Sequence, residues 1–279
     1  MKIKPPSSNH IDRVADWIEL FVLASNKEIS KSKILALLEA EDVNIAEEDI
    51  DSAIGELSRR LTLYGSVKPF KIVGNRVLPN FDWKKHPELA LCLYYSTYGV
   101  GKLKKGQKAD EGTKLFEHIT RSCLDNFLNT NSYLFGFPAS KSFKIQLDEF
   151  AALINEKRDE DPGPHDKDRD VDLVVYKKLD DTRTNSMLLF VQCAAGKNWD
   201  EKKAVAIESY RRFVSFNQKT TIPSLATTQV ISISDWRNAC DDYGIIVDRA
   251  RLFRISCQKN IIPKKLKDEI QDWFKTKLN

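Results

Sequence analysis

Val171-Asp172-Leu173-Val174-Val175 and, after a polar turn, Met187-Leu188-Leu189-Phe190-Val191-Gln192-Cys193-Ala194 are the two stretches on which the fold turns. Each is an apolar run of strand length broken by one polar side chain. Runs of this kind, bounded by turn residues, read as buried strands. The connecting Leu179-Asp180-Asp181-Thr182-Arg183-Thr184-Asn185 has the composition of a hairpin turn. A carboxylate in a buried strand is unfavourable unless a partner or a bound cation offsets its lost hydration. Two neighbouring strands that each carry one oxygen ligand can bring those oxygens together. That suits magnesium or manganese, which take near-octahedral oxygen coordination at about 2.1 Å for magnesium. The plainer alternative makes Asp172 a loop cap and Gln192 a satisfied core amide.

Working outward, the second half of the chain predicts helices over 113–128 and 143–155, a polar loop over 156–170 and strands over 171–176 and 187–195. A helix over 200–217, strands near 227–233 and 245–256, and a basic amphipathic helix over 264–278 follow. This order suits an α/β fold, a central mixed sheet flanked by helices. Asp166, Asp168 and Asp170 read as a solvated acidic loop, His118 as a surface histidine, and Asp248-Arg249-Ala250-Arg251 as a structural strand end. In the first half, apolar residues recur at helical spacing over 11–24, and Ser30 can cap a second helix with Ile34, Leu37 and Leu38 on one face. A third helix is expected over 46–63, and Pro69–Pro79 reads as a short hairpin about Gly74-Asn75. Three helices and a hairpin is the order of a winged helix, although the third helix opens on Glu47, Glu48, Asp49 and Asp51, which repel phosphate. A further apolar helix over 84–100 reads as a connector. Gly99 to Lys108 is rich in glycine and lysine, so the expected division is 1–100, a linker over 101–110, and 111–279.

With these residues in view, the second half resembles the PD-(D/E)xK, or restriction-endonuclease-like, nucleases. Asp172, a hairpin and then Gln192-Cys193-x is similar to their D…(E/Q)xK core, closest to the Mrr-like branch whose second strand reads Val-Gln-Cys-Lys. An upstream helix in that branch often carries Phe-Glu, matched here by Phe116-Glu117. The resemblance implies a magnesium- or manganese-dependent endonuclease with Asp172, Gln192 and Glu117 at the metal. The family lysine would orient the attacking water or stabilise the transition state. Ala194 stands where that lysine is expected. Lys197 is the nearest substitute, with Lys202 and Lys203 next; if none serves, the domain is an inactive relative that binds nucleic acid or a partner as an adaptor. Lys202, Arg211 and Arg212 are the expected phosphate contacts. The resemblance further implies DNA as partner, a microbial anti-phage defence or restriction role with a restraining protein partner, and a homodimer if both strands are cut.

The bulk composition is compatible with this. A 279-residue chain that is 42% hydrophobic can bury a core, and the net charge of +4 is mild. From Arg249 onward nine basic residues face three acidic ones, a stretch able to track phosphates or simply to form a solvated helix face. The five cysteines show no CxxC or zinc-ligand spacing, and Met-Lys-Ile-Lys-Pro-Pro has no apolar signal core. Together these predict a reducing cytoplasm, and no run approaches the ~18–20 apolar residues of a membrane span.

Overall fold

The structure, a computed structural model, describes residues 3–101, 110–135, 141–163, 166, 170–179, 181–258 and 261–278. The expected linker falls almost entirely on 102–109, outside the described residues. The chain opens with α1 (Ile11–Ser25), β1 (Ile29–Ser30), α2 (Lys31–Glu39), α3 (Glu47–Leu63), β2 (Phe70–Val73), β3 (Arg76–Pro79) and α4 (Pro87–Tyr98). The Ser30 side chain caps α2 by accepting from the Lys33 N–H, and Asp49 reaches back to the Ala46 N–H at the start of α3. β1, β3 and β2 form a small antiparallel sheet in that order. α4, expected as a connector, is buried from Pro87 through Leu93 and again at Tyr95, Ser96 and Thr97, because α1 and α10 (Lys264–Leu278) both pack on it.

The remaining elements are α5 (Glu111–Phe127), β4 (Asn131–Leu134), α6 (Phe143–Ile154), β5 (Leu173–Lys177), β6 (Met187–Ala194), α7 (Ile207–Arg211), β7 (Thr221–Thr227), α8 (Ile233–Tyr243), β8 (Ile245–Val247), α9 (Arg249–Ser256) and α10. They build a mixed α/β layer around a five-stranded sheet of order β4-β5-β6-β7-β8. β4, β5 and β6 run antiparallel, whereas β6, β7 and β8 run parallel. Side chains alternate across the sheet. Leu173, Val175, Leu189 and Val191 join the core of α4, α5, α9 and α10 on one face. Val174, Leu188 and Phe190 pack with Phe150, Tyr210 and Phe213 on the other. Past them on that second face, Ala194, Leu225 and Ile246 are covered by Ala239 and Tyr243 of α8.

Three stretches differ from the sequence expectation. The helix expected over 200–217 shrinks to the five residues of α7, since the backbone around it bonds elsewhere: Val214 bridges Arg158, and the Ser215 N–H donates to Lys157 O. The expected strand over 227–233 instead lies at Thr221–Thr227, and Ser232 caps a helix that was not expected. The expected strand over 245–256 stops at Val247, because the Asp248 carboxylate accepts from the Arg251 N–H and starts α9.

A buried ion network ties the first helices to α9. Arg60 is 1% exposed and donates to Asp16 at 2.6 Å, Glu19 at 2.9 Å and Glu56 at 2.7 Å. Arg249 is fully buried and donates to the same Asp16 oxygen at 2.7 Å, to Ser96 at 2.8 Å and to Tyr64 at 3.2 Å. Burial alone would raise the Asp16 carboxyl, but Arg249 and Arg60 outweigh it and hold the group below the usual carboxylate range.

Candidate active site

Asp172 stands just before β5, and Gln192 lies near the end of β6. The pairing of Leu173 with Val191 sets the two residues opposite each other at the next position out. The Asp172 N–H donates to Val191 O at 3.0 Å, and its Oδ2 accepts from the Cys193 N–H at 2.6 Å. That charge-assisted bond fixes the carboxylate at the strand end. Gln192 is 3% exposed, and its Oε1 is buried with no hydrogen-bond partner among the described residues. An orphaned buried oxygen costs on the order of 1–3 kcal/mol. A hard cation would remove that cost, so the donor set of this pair fits magnesium or manganese.

Strand alternation sends Gln192 to the face of Leu188 and Phe190, and Cys193 to the face covered by α5. Burial pushes the Cys193 thiol well above its ordinary range, and the carboxylates of Asp172 and Glu117 push it further. Such a thiol is a poor nucleophile at neutral pH. Glu117 is thus on the Cys193 side of the sheet, with Asp172 at the strand end between the two faces. Among the described residues no three His, Cys, Asp or Glu side chains form a metal-holding group. The pairing of Asp172 with an amide lies outside such a set.

Ala194 is 2% exposed and packs among Leu225 and Ile246. Lys197 turns towards α1: its methylenes run along Gly99, 3.2–3.3 Å from where a Cβ would stand, and it shares a cleft with Arg13, Trp199 and Gln229. Gly99 at φ +76° permits this approach. Burial lowers the Lys197 pKa, and the nearby Arg13 charge lowers it further. Lys202 and Lys203 are exposed. Trp199 belongs with the Ala194 cluster and Val205 with the Phe190 cluster, so the stretch carrying these lysines crosses the sheet face that holds Gln192. The Tyr243 hydroxyl pins it by donating to Lys202 O at 2.7 Å.

The expected phosphate contacts on α7 are engaged within the protein. Arg211 pairs with Glu208 at 3.1 Å; Arg212 pairs with Glu160 at 3.4 Å and lies over the Phe213 ring. Tyr210 is wholly buried, and Asp166 accepts from the Gly163 N–H. Asp168 and His165 lie outside the described residues. Sequence reasoning missed the grouping of Arg13 and Gln229 around Lys197, because three distant segments make it and no spacing announces it.

No family model matches this chain, and no curated protein matches it. Among solved structures, that of the restriction endonuclease FokI is similar at a TM-score of 0.20 and 10% identity, over 92% of this chain and 46% of that one. The chain therefore spans about half the length of that enzyme. Among the described residues no helix is long and apolar enough to cross a membrane.

Proposed function

We propose that this chain is a metal-dependent endonuclease that hydrolyses phosphodiester bonds in DNA. In this proposal residues 111–279 are a restriction-endonuclease-like domain, and residues 1–100 a winged-helix-like unit. The observation that carries it is the unpartnered, buried Oε1 of Gln192 set across the strand pair from Asp172, at the end of an antiparallel meander that continues into parallel strands. Asp172 and Gln192 would hold magnesium or manganese, with Glu117 assisting from α5. A metal at such a site lowers the pKa of bound water and neutralises charge on the phosphate. With Ala194 in the lysine position and Lys197 turned towards α1, Lys202 and Lys203 are the cations we assign to steadying the scissile phosphate.

A freely active DNA nuclease endangers its own cell. We therefore place the chain in a microbial anti-phage defence or restriction system, with a protein partner that restrains it and a homodimer where both strands are cut. The test is plasmid cleavage by the purified protein with magnesium, manganese or EDTA, beside Asp172→Ala, Lys197→Ala and the pair Lys202→Ala with Lys203→Ala. Cleavage should need the metal, fall at least about 100-fold in Asp172→Ala, and fall in the Lys202/Lys203 pair more than in Lys197→Ala. Undiminished cutting by Asp172→Ala would sink the assignment.

A second reading has its own support. The core position of Ala194 and the use of Asp172 Oδ2 by the Cys193 backbone suit a catalytically inactive nuclease fold that binds nucleic acid or a protein as an adaptor. Calorimetry separates the two, because the adaptor should take up neither magnesium nor manganese.

A further inference from the structure

Two clefts away from the Asp172–Gln192 pair meet at Ile231 and Ser232. The larger, about 460 Å³, lies between α3, α8 and α9, and four arginines line it: Arg59, Arg237, Arg251 and Arg254. The smaller, about 240 Å³, lies between α1 and the loops that follow β6 and β7, where Arg13, Lys197 and Gln229 converge.

What sets these clefts apart is how few of their donors are used. Arg59 is held by Glu56, and Arg251 donates to Ile246 O while its guanidinium lies 4.5 Å from the Trp236 ring centroid. Arg13, Lys197, Arg237 and Arg254 make no ion pair or side-chain hydrogen bond among the described residues. The Gln229 Nε2 is buried without a partner. The acids nearby are largely committed: Asp248 caps α9, Asp12 faces His10 and Arg60, and Asp235 accepts from the Ser232 hydroxyl. Asp200, exposed at the mouth of the smaller cleft, is the remaining acid there.

Unpaired guanidinium groups in a concave site favour phosphate, whose oxygens accept from both prongs of the fork. A partly desolvated lysine gains from the same anion. Trp236 and Ile233, which is 74% exposed, add a flat apolar wall beside the arginines, as a nucleobase requires. We propose that this two-part cleft binds a phosphate-bearing nucleotide unit, with phosphate on Arg237, Arg254, Arg13 and Lys197 and the base against Trp236 and Ile233. The unit comes either from a free nucleotide or from a nucleic-acid strand. The site shares no residue with the Asp172–Gln192 pair, so it stands whether or not the chain cuts DNA.

The test is fluorescence anisotropy with the full chain in EDTA, using a short labelled single-stranded DNA, with AMP and inorganic phosphate as competitors. Arg237→Glu with Arg254→Glu, and separately Arg13→Gln with Lys197→Gln, should each weaken binding at least about tenfold. The first pair should also reduce the salt slope by about 2, near 0.9 per lost phosphate contact. Trp236→Ala should weaken binding about fivefold or more, and Lys265→Glu, a charge change on the exposed face of α10, should leave it unchanged. Competition by AMP at concentrations where phosphate does not compete assigns a free nucleotide; binding of the oligonucleotide alone assigns a strand. Wild-type affinity in both charge variants, with their circular dichroism unchanged, would overturn the proposal, as would failure of all three probes to bind. Because EDTA removes the metal, loss of cleavage in Asp172→Ala leaves these outcomes untouched.

Discussion

Gln192 poses the sharpest question at the scale of one residue. A buried side-chain oxygen without a partner is destabilising, so a leucine there should be tolerated or better in the metal-free protein. We expect Gln192→Leu to unfold in EDTA at the same urea concentration as wild type or higher, by about 1 kcal/mol. We also expect wild type to gain thermal stability with magnesium or manganese, since a ligand that binds only the folded state stabilises it. That gain should vanish in Gln192→Leu. If the metal shifts both proteins equally, Gln192 is not a ligand. Cys193, one residue on, faces the other side and illustrates how a single step along a strand exchanges a candidate ligand for a core thiol.

At the scale of the element, α5 is the helix whose placement decides where Glu117 stands. It approaches α4 and α10 through Gly112, where a Cβ would lie 2.2 Å from the Tyr95 hydroxyl and 2.5 Å from the Trp273 ring. Asp110 locks the same corner, capping α5 and accepting from Trp273 Nε1 and Lys277 Nζ, each at 2.9 Å. Gly112→Ala should therefore cost about 1–3 kcal/mol by overpacking, seen as a lower Tm in calorimetry. An unchanged Tm would mean the three helices do not pack this closely. Elements with strong internal patterns were legible in the sequence: β5 and β6 as apolar runs, α1 and α3 from their spacing, α2 from its Ser30 cap. α8 was not, because Asp235, Asn238, Asp241 and Asp242 leave only Ala239 and Tyr243 buried on it. α9 was hidden behind the apolar run of β8, since its start depends on the Asp248 cap and not on periodicity. The opposition of Asp172 and Gln192 could be counted from the hairpin. The direction of Lys197 could not, because it depends on room left by Gly99, far away in sequence.

At the scale of the molecule, the Asp16, Glu19, Arg60 and Arg249 network joins helices from both sides of residues 102–109, and one continuous apolar core surrounds it. Asp16 and Glu19 are each about 1% exposed, so deleting a cation leaves carboxylates buried and under-compensated. Removing one partner of such a group costs about 3–5 kcal/mol. Arg249→Ala should show this as a lower urea midpoint at pH 7. Arg249→Lys should restore little, since an ammonium cannot serve Asp16, Ser96 and Tyr64 at once. The pH dependence follows from the sign of the Asp16 shift. A carboxyl held below its unfolded pKa, about 3.9, contributes stability that is fully present above that value and is lost as pH falls through the depressed one. Wild type should therefore lose stability steeply below about pH 4. Arg249→Ala, which starts lower and relaxes the depression at Asp16, should lose less over the same interval. Parallel acid limbs for the two proteins would show that Arg249 does not set the ionisation of Asp16, and the two halves would then be held together by apolar packing alone.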